Sequence, residues 1–173
     1  MTDAVYMQVL RADMEPAFLA MTNTSHAFHK PWVSPPLTHE AFIEFYKRYQ
    51  EPNQKSFVLF EENEQIVGVF NLSEIVRGCF QNAYLGFYAA KEFAGLGFMR
   101  QGMQLLLQEA FMTLGLHRVE ANIQPQNVAS INLVKRSGFR LEGTSLRYLK
   151  INDTWCDHER FAITVEDWQH KGK

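Results

Sequence analysis

The sequence predicts one mixed α/β domain spanning residues 1–173. The chain has 173 residues, of which 46% are hydrophobic, and this is enough for one substantial core. Runs rich in Val, Ile and Phe alternate with segments of helical period, and the second half reads strand–helix–strand. No internal repeat or low-complexity linker divides the chain. These observations favour a single domain built around a mixed sheet.

One strand and two helices are predicted in the first part of the chain. The run VYMQVLRA predicts a first strand, and a helix is expected from Met14 to Met21, because Glu15 or Pro16 suits a helix start. The segment HAFHKPWVSPP contains three prolines and has no period, so it is interpreted as a loop. Thr38 is a good N-cap for a second helix, whose aromatic residues repeat at helical spacing: Phe42, Phe45, Tyr46 and Tyr49.

The remaining strands of the sheet are predicted in the rest of the chain. SFVLFEE and QIVGVFNLSE form an expected antiparallel hairpin, and NAYLGFYAA forms a further strand. An amphipathic helix is expected from Met99 until Gly115. The strand LHRVEANI follows, then a helix from Val128 to Ser137 that ends at Gly138. The last two strands are FRLEGTSLRYLKI and TWCDHERFAIT, so the order is β-α-α-β-β-β-α-β-α-β-β.

Charge and cysteine content exclude several classes of function. The formal net charge of -2 gives no electrostatic case for binding nucleic acid or an anionic membrane. Cys79 and Cys156 are the two cysteines and form no C-x-x-C pair, so neither a structural disulfide nor a zinc site is expected. No signal peptide or membrane span is predicted. We therefore expect a cytoplasmic protein.

The stretch EFAGLGFMRQG joins an expected strand to an expected helix. It lacks the lysine of a Walker loop and the third glycine of a dinucleotide fingerprint. Backbone N–H groups from Gly95 to Met99 can nevertheless hold a pyrophosphate at the positive end of the helix. Glycine permits that close approach because it has no Cβ. On the two glycines alone, a plain turn without a ligand is an equally good interpretation.

The chain from this loop onward resembles the GNAT superfamily of N-acetyltransferases. The resemblance is carried by A-G-L-G-F-M, by L-H-R-V-E-A and by N-V-A-S-I-N-L-V-K-R-S-G-F-R-L-E-G. VRGCFQNAYLGFYAAKEFAGLGFM and YLKINDTWCDHERFAIT are similar to the ribosomal-protein alanine or serine N-acetyltransferases within it. Superfamily loops usually begin with Gln or Arg and end with Gly or Ala. Here Ala94 and Met99 depart from that pattern.

The resemblance implies a fold, a reaction and a cofactor. The expected fold is a mixed, mostly antiparallel sheet that splays at the cofactor site, with helices on both faces. The expected reaction moves acetyl from acetyl-CoA to a primary amine by direct attack, without a metal. A backbone N–H of Phe87 or Tyr88 would polarise the thioester carbonyl. The cofactor residues implied are Phe87, Tyr88, Ala94, Gly95, Leu96, Gly97, Phe98, Met99, Asn127 and Ser130.

Two residues are predicted to be catalytic. The resemblance implies that Ser130 donates to the departing sulfur, while Asn127 binds the pantetheine amide. Asn and Ser also commonly cap helices, so capping is the alternative role for both residues. Glu120 is predicted to be the general base that takes the proton of the amine. Its alternative role is that of a solvated strand residue or one hydrogen-bonded to Tyr or Arg.

The acceptor pocket is expected from the first half of the chain. Trp32, in HKPWVSP, and Tyr148 are the predicted substrate contacts. Trp32 could equally anchor a proline-rich loop. Asp157-His158 resembles a D-H pair of the subgroup and is interpreted as mainly structural or acceptor-side. His26, His29 and His117 have no metal-ligand spacing, so no metal is expected.

Three functions are compatible with the sequence. The first is acetylation of a protein N-terminal amine, including that of a ribosomal protein. The second is acetylation of a small amine such as a polyamine, an amino acid or an antibiotic. The third is a non-catalytic acyl-CoA-binding domain. A monomer or a homodimer fits each of these functions.

Overall fold

A seven-stranded sheet forms the centre of the computed structural model, which describes residues 4–170. The strand order is β1-β2-β3-β4-β5-β7-β6, and only β4 and β5 are parallel neighbours. The strands are β1 (Val5–Val9), β2 (Lys55–Glu61), β3 (Ile66–Val76), β4 (Asn82–Ala89), β5 (Arg118–Ile123), β6 (Arg140–Ile151) and β7 (Thr154–Thr164).

In the described part of the chain, six α-helices accompany the sheet: α1 (Glu15–Thr24), α2 (His26–His29), α3 (His39–Arg48), α4 (Phe98–Gln108), α5 (Val128–Ser137) and α6 (Val165–His170). Thr38 caps α3 as predicted, because its hydroxyl accepts the Ala41 N–H. The helix predicted to run to Gly115 ends instead as α4 followed by a π-helical turn over Glu109–Thr113. Within residues 4–170 no helix is long and apolar enough to cross a membrane.

Two helices lie where none was predicted. The segment after His26 was expected to be loop, but α2 follows α1 almost directly and ends before the first proline, Pro31. The prolines therefore stop the helix rather than prevent it. At α6, Thr164 and Asp167 hydrogen-bond reciprocally through backbone and side chain. This T-x-x-D cap was readable in the sequence and was missed.

Helices cover both faces of the sheet and form two cores. One core packs α4 and α5 against residues of the central strands such as Phe70, Val119 and Phe161. The other packs α1 and α3 against the opposite face, with Phe18 and Phe42 fully buried. The predicted arrangement of helices on both faces is confirmed.

The sheet splays between β4 and β5. These strands pair only from Asn82 to Tyr84 and from Arg118 to Glu120. Beyond that point, β4 stays paired with β3 as far as Ala89, and β5 stays paired with β7 as far as Ile123. Two unpaired backbone edges therefore face each other across a wedge. The predicted splayed sheet is confirmed.

Helix α4 lies very close to the sheet at Gly102. A Cβ built at this position would lie 2.6 Å from Leu59 Cδ2 and 2.8 Å from Phe70 Cε2, inside normal contact distance. Since α4 begins at the wedge, this contact helps to fix the helix end that borders the site.

We expect Gly102→Ala to lower the free energy of unfolding by at least about 1 kcal/mol, because overpacking a core typically costs about 1–3 kcal/mol. The gain in helix propensity from alanine works against that loss. Urea unfolding measures the difference, with Gln104→Ala on the exposed face of α4 as the matched control. An alanine variant as stable as the parent protein would contradict the close contact.

Candidate active site

The wedge between β4 and β5 opens into a cavity of about 540 Å³. One half is bordered by the glycine loop and the start of α5, and the other half by α2 and the segment after it. The residues that line the cavity include Phe28, His29, Trp32, Phe87, Tyr88, Ala94, Gly95, Gly97, Met99, Arg100, Asn122, Gln124, Asn127, Ser130, Arg136 and His158.

The glycine loop presents free backbone N–H groups. Gly95 has φ +80 and Gly97 has φ +89, a region that side chains disfavour, and a Cβ at either position would project into open space. Within residues 4–170 no backbone carbonyl accepts from the N–H groups of Gly95, Gly97, Phe98 or Met99. They lie at the positive end of α4. This is the geometry of an anion cradle.

Arg100 and Arg136 also line this half of the cavity. Arg100 lies in the first turn of α4, and Arg136 lies in the last turn of α5. Both suit phosphate oxygens. They were missed from sequence, although Arg100 follows the glycine loop almost directly, because arginines on helices are usually solvated.

The open edge of β4 offers one N–H group in particular. Ala90 donates its N–H to Val67 of β3, and N–H groups of alternate residues point to the same side of a strand. The N–H of Tyr88 therefore points to β3, and that of Phe87 points into the wedge. Of the two predicted carbonyl-polarising groups, the geometry favours Phe87.

The side chain of Tyr88 forms part of the cavity wall, and its backbone N–H does not point into the wedge. Its side chain is buried, its ring lies 5.0 Å from that of His29, and burial raises the pKa of its phenol well above the ordinary value. The phenol therefore stays protonated.

Asn127 and Ser130 meet at the start of α5. The Asn127 side-chain oxygen accepts the Ser130 N–H at 3.3 Å, so Asn127 is the N-cap. Both residues also line the cavity. Within residues 4–170 the Ser130 hydroxyl has no hydrogen-bond partner. It is available to a ligand.

The acceptor half is bounded by α2 and the residues after it. The carbonyl of Lys30 accepts from Asn152 in the β6–β7 turn at 2.7 Å, and that of Pro31 accepts from Gln124 at 3.3 Å. These bonds hold the segment across the wedge. Trp32, half-buried, lines the cavity beneath it, and both predicted roles of Trp32 are compatible with this position.

His29 fixes α2 to the edge of β4. Its Nε2–H donates to the Ala89 carbonyl at 2.7 Å, and its Nδ1 is enclosed without a partner in residues 4–170. Burial lowers the pKa of His29, outweighing the bond to Ala89. The imidazole is therefore neutral and acts as a structural bridge.

The position of Glu120 disagrees with its predicted role as base. It lies in the last paired rung, outside the residues that line the cavity. Its carboxylate accepts from Arg118 Nε at 2.8 Å, and Arg118 also binds Glu142. That pairing raises the pKa of Arg118 and lowers the pKa of Glu142. Glu120 therefore occupies an ion-pair network, the alternative stated for it above.

Tyr148 does not line the cavity. Its ring packs on that of His158, with the two centroids 6.2 Å apart. Tyr148 therefore contacts a residue that lines the cavity, and its predicted contact with the substrate stays a prediction.

The family assignment follows from comparison with known proteins. A model of the acetyltransferase (GNAT) domain matches residues 6–140. The chain belongs to the GNAT family. The predicted class, an acetyl-CoA-dependent N-acetyltransferase, is confirmed.

The chain is similar in sequence to several N-acetyltransferases. The chain is 33% identical over 125 residues to the probable N-acetyltransferase YjcK of Bacillus subtilis, covering 72% of this chain and 69% of that protein. It is 38% identical over 113 residues to the ribosomal protein uS5 alanine N-acetyltransferase of Escherichia coli, covering 65% and 58%. It is 24% identical over 150 residues to the spermidine N(1)-acetyltransferase of Vibrio cholerae, covering 86% and 84%.

A solved structure shares the fold. Mycobacterium smegmatis RimJ in complex with CoA-disulfide superposes with a TM-score of 0.87 at 23% identity, covering 96% of this chain and 84% of that chain. At this identity the likeness speaks for the fold alone. The anion cradle and the wedge of this GNAT chain fit coenzyme A by their own geometry.

The departures from the usual GNAT loop have a structural explanation. The Met99 side chain packs on β3, where a Cβ at Gly68 would lie 2.4 Å from its sulfur. The Met99 sulfur thus lies against β3, and no backbone carbonyl of residues 4–170 accepts the Met99 N–H. Ala94 lines the cavity, but its N–H donates to Lys91.

The other two loop residues, Leu96 and Phe98, do not line the cavity. Leu96 is 62% exposed and does not line the cavity. Phe98 is buried against Phe93, with ring centroids 5.7 Å apart, and only its backbone reaches the loop.

Within residues 4–170 no group of His, Cys, Asp or Glu could hold a metal ion.

We expect Gly68→Ala to weaken coenzyme A binding about 10-fold, because the new Cβ would lie 2.4 Å from the Met99 sulfur and 2.9 Å from the Tyr88 carbonyl oxygen, and both residues border the cavity. Isothermal titration with coenzyme A measures the change. Met99→Ala in the same chain should restore part of the affinity, since it removes the sulfur from the clash. An unchanged dissociation constant in Gly68→Ala would show that Met99 does not set the loop.

Proposed function

We propose that this GNAT chain acetylates the N-terminal amine of a protein, including a ribosomal protein, in the cytoplasm. The supporting observation is the charge of the cavity: within residues 4–170 no Asp or Glu lines it. Its acceptor half presents aromatic and amide side chains instead: Phe28, Trp32, Tyr88, Asn122 and Gln124. A neutral pocket suits a peptide end, whose amide groups hydrogen-bond to such side chains.

A polyamine fits this pocket less well. Each extra ammonium group would be desolvated without a carboxylate partner, and burying an unpaired charge is costly. The likeness to a spermidine acetyltransferase keeps a small amine as the second candidate. The higher identity to the uS5 alanine enzyme supports the first.

The chain's own groups have distinct roles in this proposal. Bound acetyl-CoA supplies the acetyl thioester. The free N–H groups of Gly95, Gly97, Phe98 and Met99, together with Arg100, bind the pyrophosphate. The N–H of Phe87 polarises the thioester carbonyl at the open edge of β4. The hydroxyl of Ser130 donates a hydrogen bond to the departing sulfur.

The acceptor class is tested by thiol release from acetyl-CoA with a panel of substrates. We expect turnover with peptides carrying N-terminal Ala or Ser, and kcat/KM at least about 10-fold lower with spermidine, since a lost charge partner is worth more than about 1.4 kcal/mol. N-terminally blocked peptides are the matched control. Turnover on small amines alone would support the second candidate. Coenzyme A binding without any turnover would support a non-catalytic domain.

Ser130→Ala should lower kcat about 10- to 100-fold, the range expected for losing one hydrogen bond to a developing charge. The backbone N–H of residue 130 can still donate to Asn127, so the cap and coenzyme A affinity should be retained. Single-turnover kinetics and titration with coenzyme A measure both quantities. Ser130→Thr, which keeps a hydroxyl, should retain more activity. A kcat for Ser130→Ala within twofold of the parent would remove Ser130 from the reaction.

A further inference from the structure

His158 is a buried histidine whose tautomer the backbone selects. It lies on β7, is 3% exposed and lines the cavity. Its Nδ1 lies 2.9 Å from the carbonyl oxygen of Cys156. A carbonyl can only accept, so Nδ1 carries the hydrogen. In a neutral imidazole the lone pair is then on Nε2.

The other ring nitrogen is open. No atom of residues 4–170 forms a hydrogen bond with Nε2 of His158. Nor is Nε2 among the enclosed, unpartnered polar atoms, a group that does include Nδ1 of His29. Since the residue is otherwise buried and lines the cavity, the cavity is the space that Nε2 can reach.

The strand pattern places His158 on the acceptor side of the sheet. Asn122 and Arg160 lie directly opposite one another on β5 and β7, so their side chains share a face. His158 lies two residues from Arg160 and shares that face as well. It is the face opposite to Phe161, which packs with the α4–α5 core. His29 and Trp32 border the cavity from α2 and beyond.

We propose that Nε2 of His158 accepts the proton of the acceptor amine. This inference rests on the function proposed above. The neutral amine nitrogen forms its bond to the acetyl carbon as the carbon–sulfur bond breaks, and one proton passes from nitrogen to Nε2. The departing thiolate, hydrogen-bonded by Ser130, is protonated through solvent as His158 returns its proton. Atoms and charge balance without a further reactant.

Several titratable groups surround His158. Arg160 and Cys156 share its face of β7, the Tyr148 ring packs on it from β6, and His29 lies on the cavity wall. Within residues 4–170 no carboxylate lines this cavity. A pH profile can be assigned to His158 only by comparing variants that keep all these groups.

His158→Asn is the decisive substitution. An asparagine amide can donate to the Cys156 carbonyl where Nδ1–H did, but has nothing at the position of Nε2. We expect kcat/KM for an N-terminal peptide to fall at least about 100-fold, the usual contribution of general base catalysis. The acid limb of the kcat/KM profile should lose one ionisation and keep that of the peptide amine, while the dissociation constant for coenzyme A stays within twofold. His117 is exposed and does not line the cavity, so His117→Asn should keep both rate and profile.

His158→Gln separates proton transfer from positioning. Glutamine reaches the Nε2 position and can hydrogen-bond, but it cannot take a proton at neutral pH. It should be as slow as His158→Asn, and it provides the answer if the asparagine variant does not fold. Recovery of the parent rate in His158→Gln would overturn the proposal, because a hydrogen bond would then suffice.

Two further results would also overturn it. One is an unchanged acid limb in His158→Asn. The other is loss of one ionisation from that limb in Glu120→Gln, which would return the role to Glu120. If the unmodified chain turns over no amine at all, the proposed function itself fails. That outcome is distinguishable from a turnover that survives replacement of His158.

Discussion

The structure depends on the parting of β4 and β5 after one short paired stretch. Their backbones bond from Asn82 to Tyr84 and then separate, while each strand keeps its outer neighbour. Unpaired strand edges ordinarily attract other chains. Here they face one another across a cavity, and each supplies groups to it. The N–H of Phe87 is free to bind a ligand because no strand takes it.

Separate interactions hold this wedge open on its two sides. On one face, α4 packs so closely that Gly102 has no room for a side chain. On the other, side chains of Asn152 and Gln124 hold the segment at Lys30 and Pro31 across the gap. His29 joins α2 to the Ala89 carbonyl on the open edge of β4. The cavity is therefore held by contacts between segments far apart in sequence.

Local patterns predicted most elements of this fold, because strand alternation and helix caps are local properties. The cap at Thr38 and the stop at Gly138 could be read directly. Side-chain direction could not. Met99 departs from the small residue usual at the end of the loop, and its sulfur occupies the space that Gly68 leaves on β3.

Side-chain contacts could not be predicted for Glu120 either. Its strand was predicted correctly, and a carboxylate near the wedge was a reasonable base. Its partner Arg118 is two residues away on the same strand, while Glu142 comes from β6. Only the sheet order brings these charges together. Within this network the Glu120 carboxylate accepts a hydrogen bond from Arg118.

Two histidines in one cavity show how the fold decides chemistry. Both are buried, and each gives one N–H to a backbone carbonyl. His29 bonds through Nε2 and leaves Nδ1 sealed, so it can only brace the wall. His158 bonds through Nδ1 to its own strand, so its lone pair is at the far end of the ring. Because the longer reach of Nε2 carries that lone pair away from the strand, His158 can serve a substrate and His29 cannot.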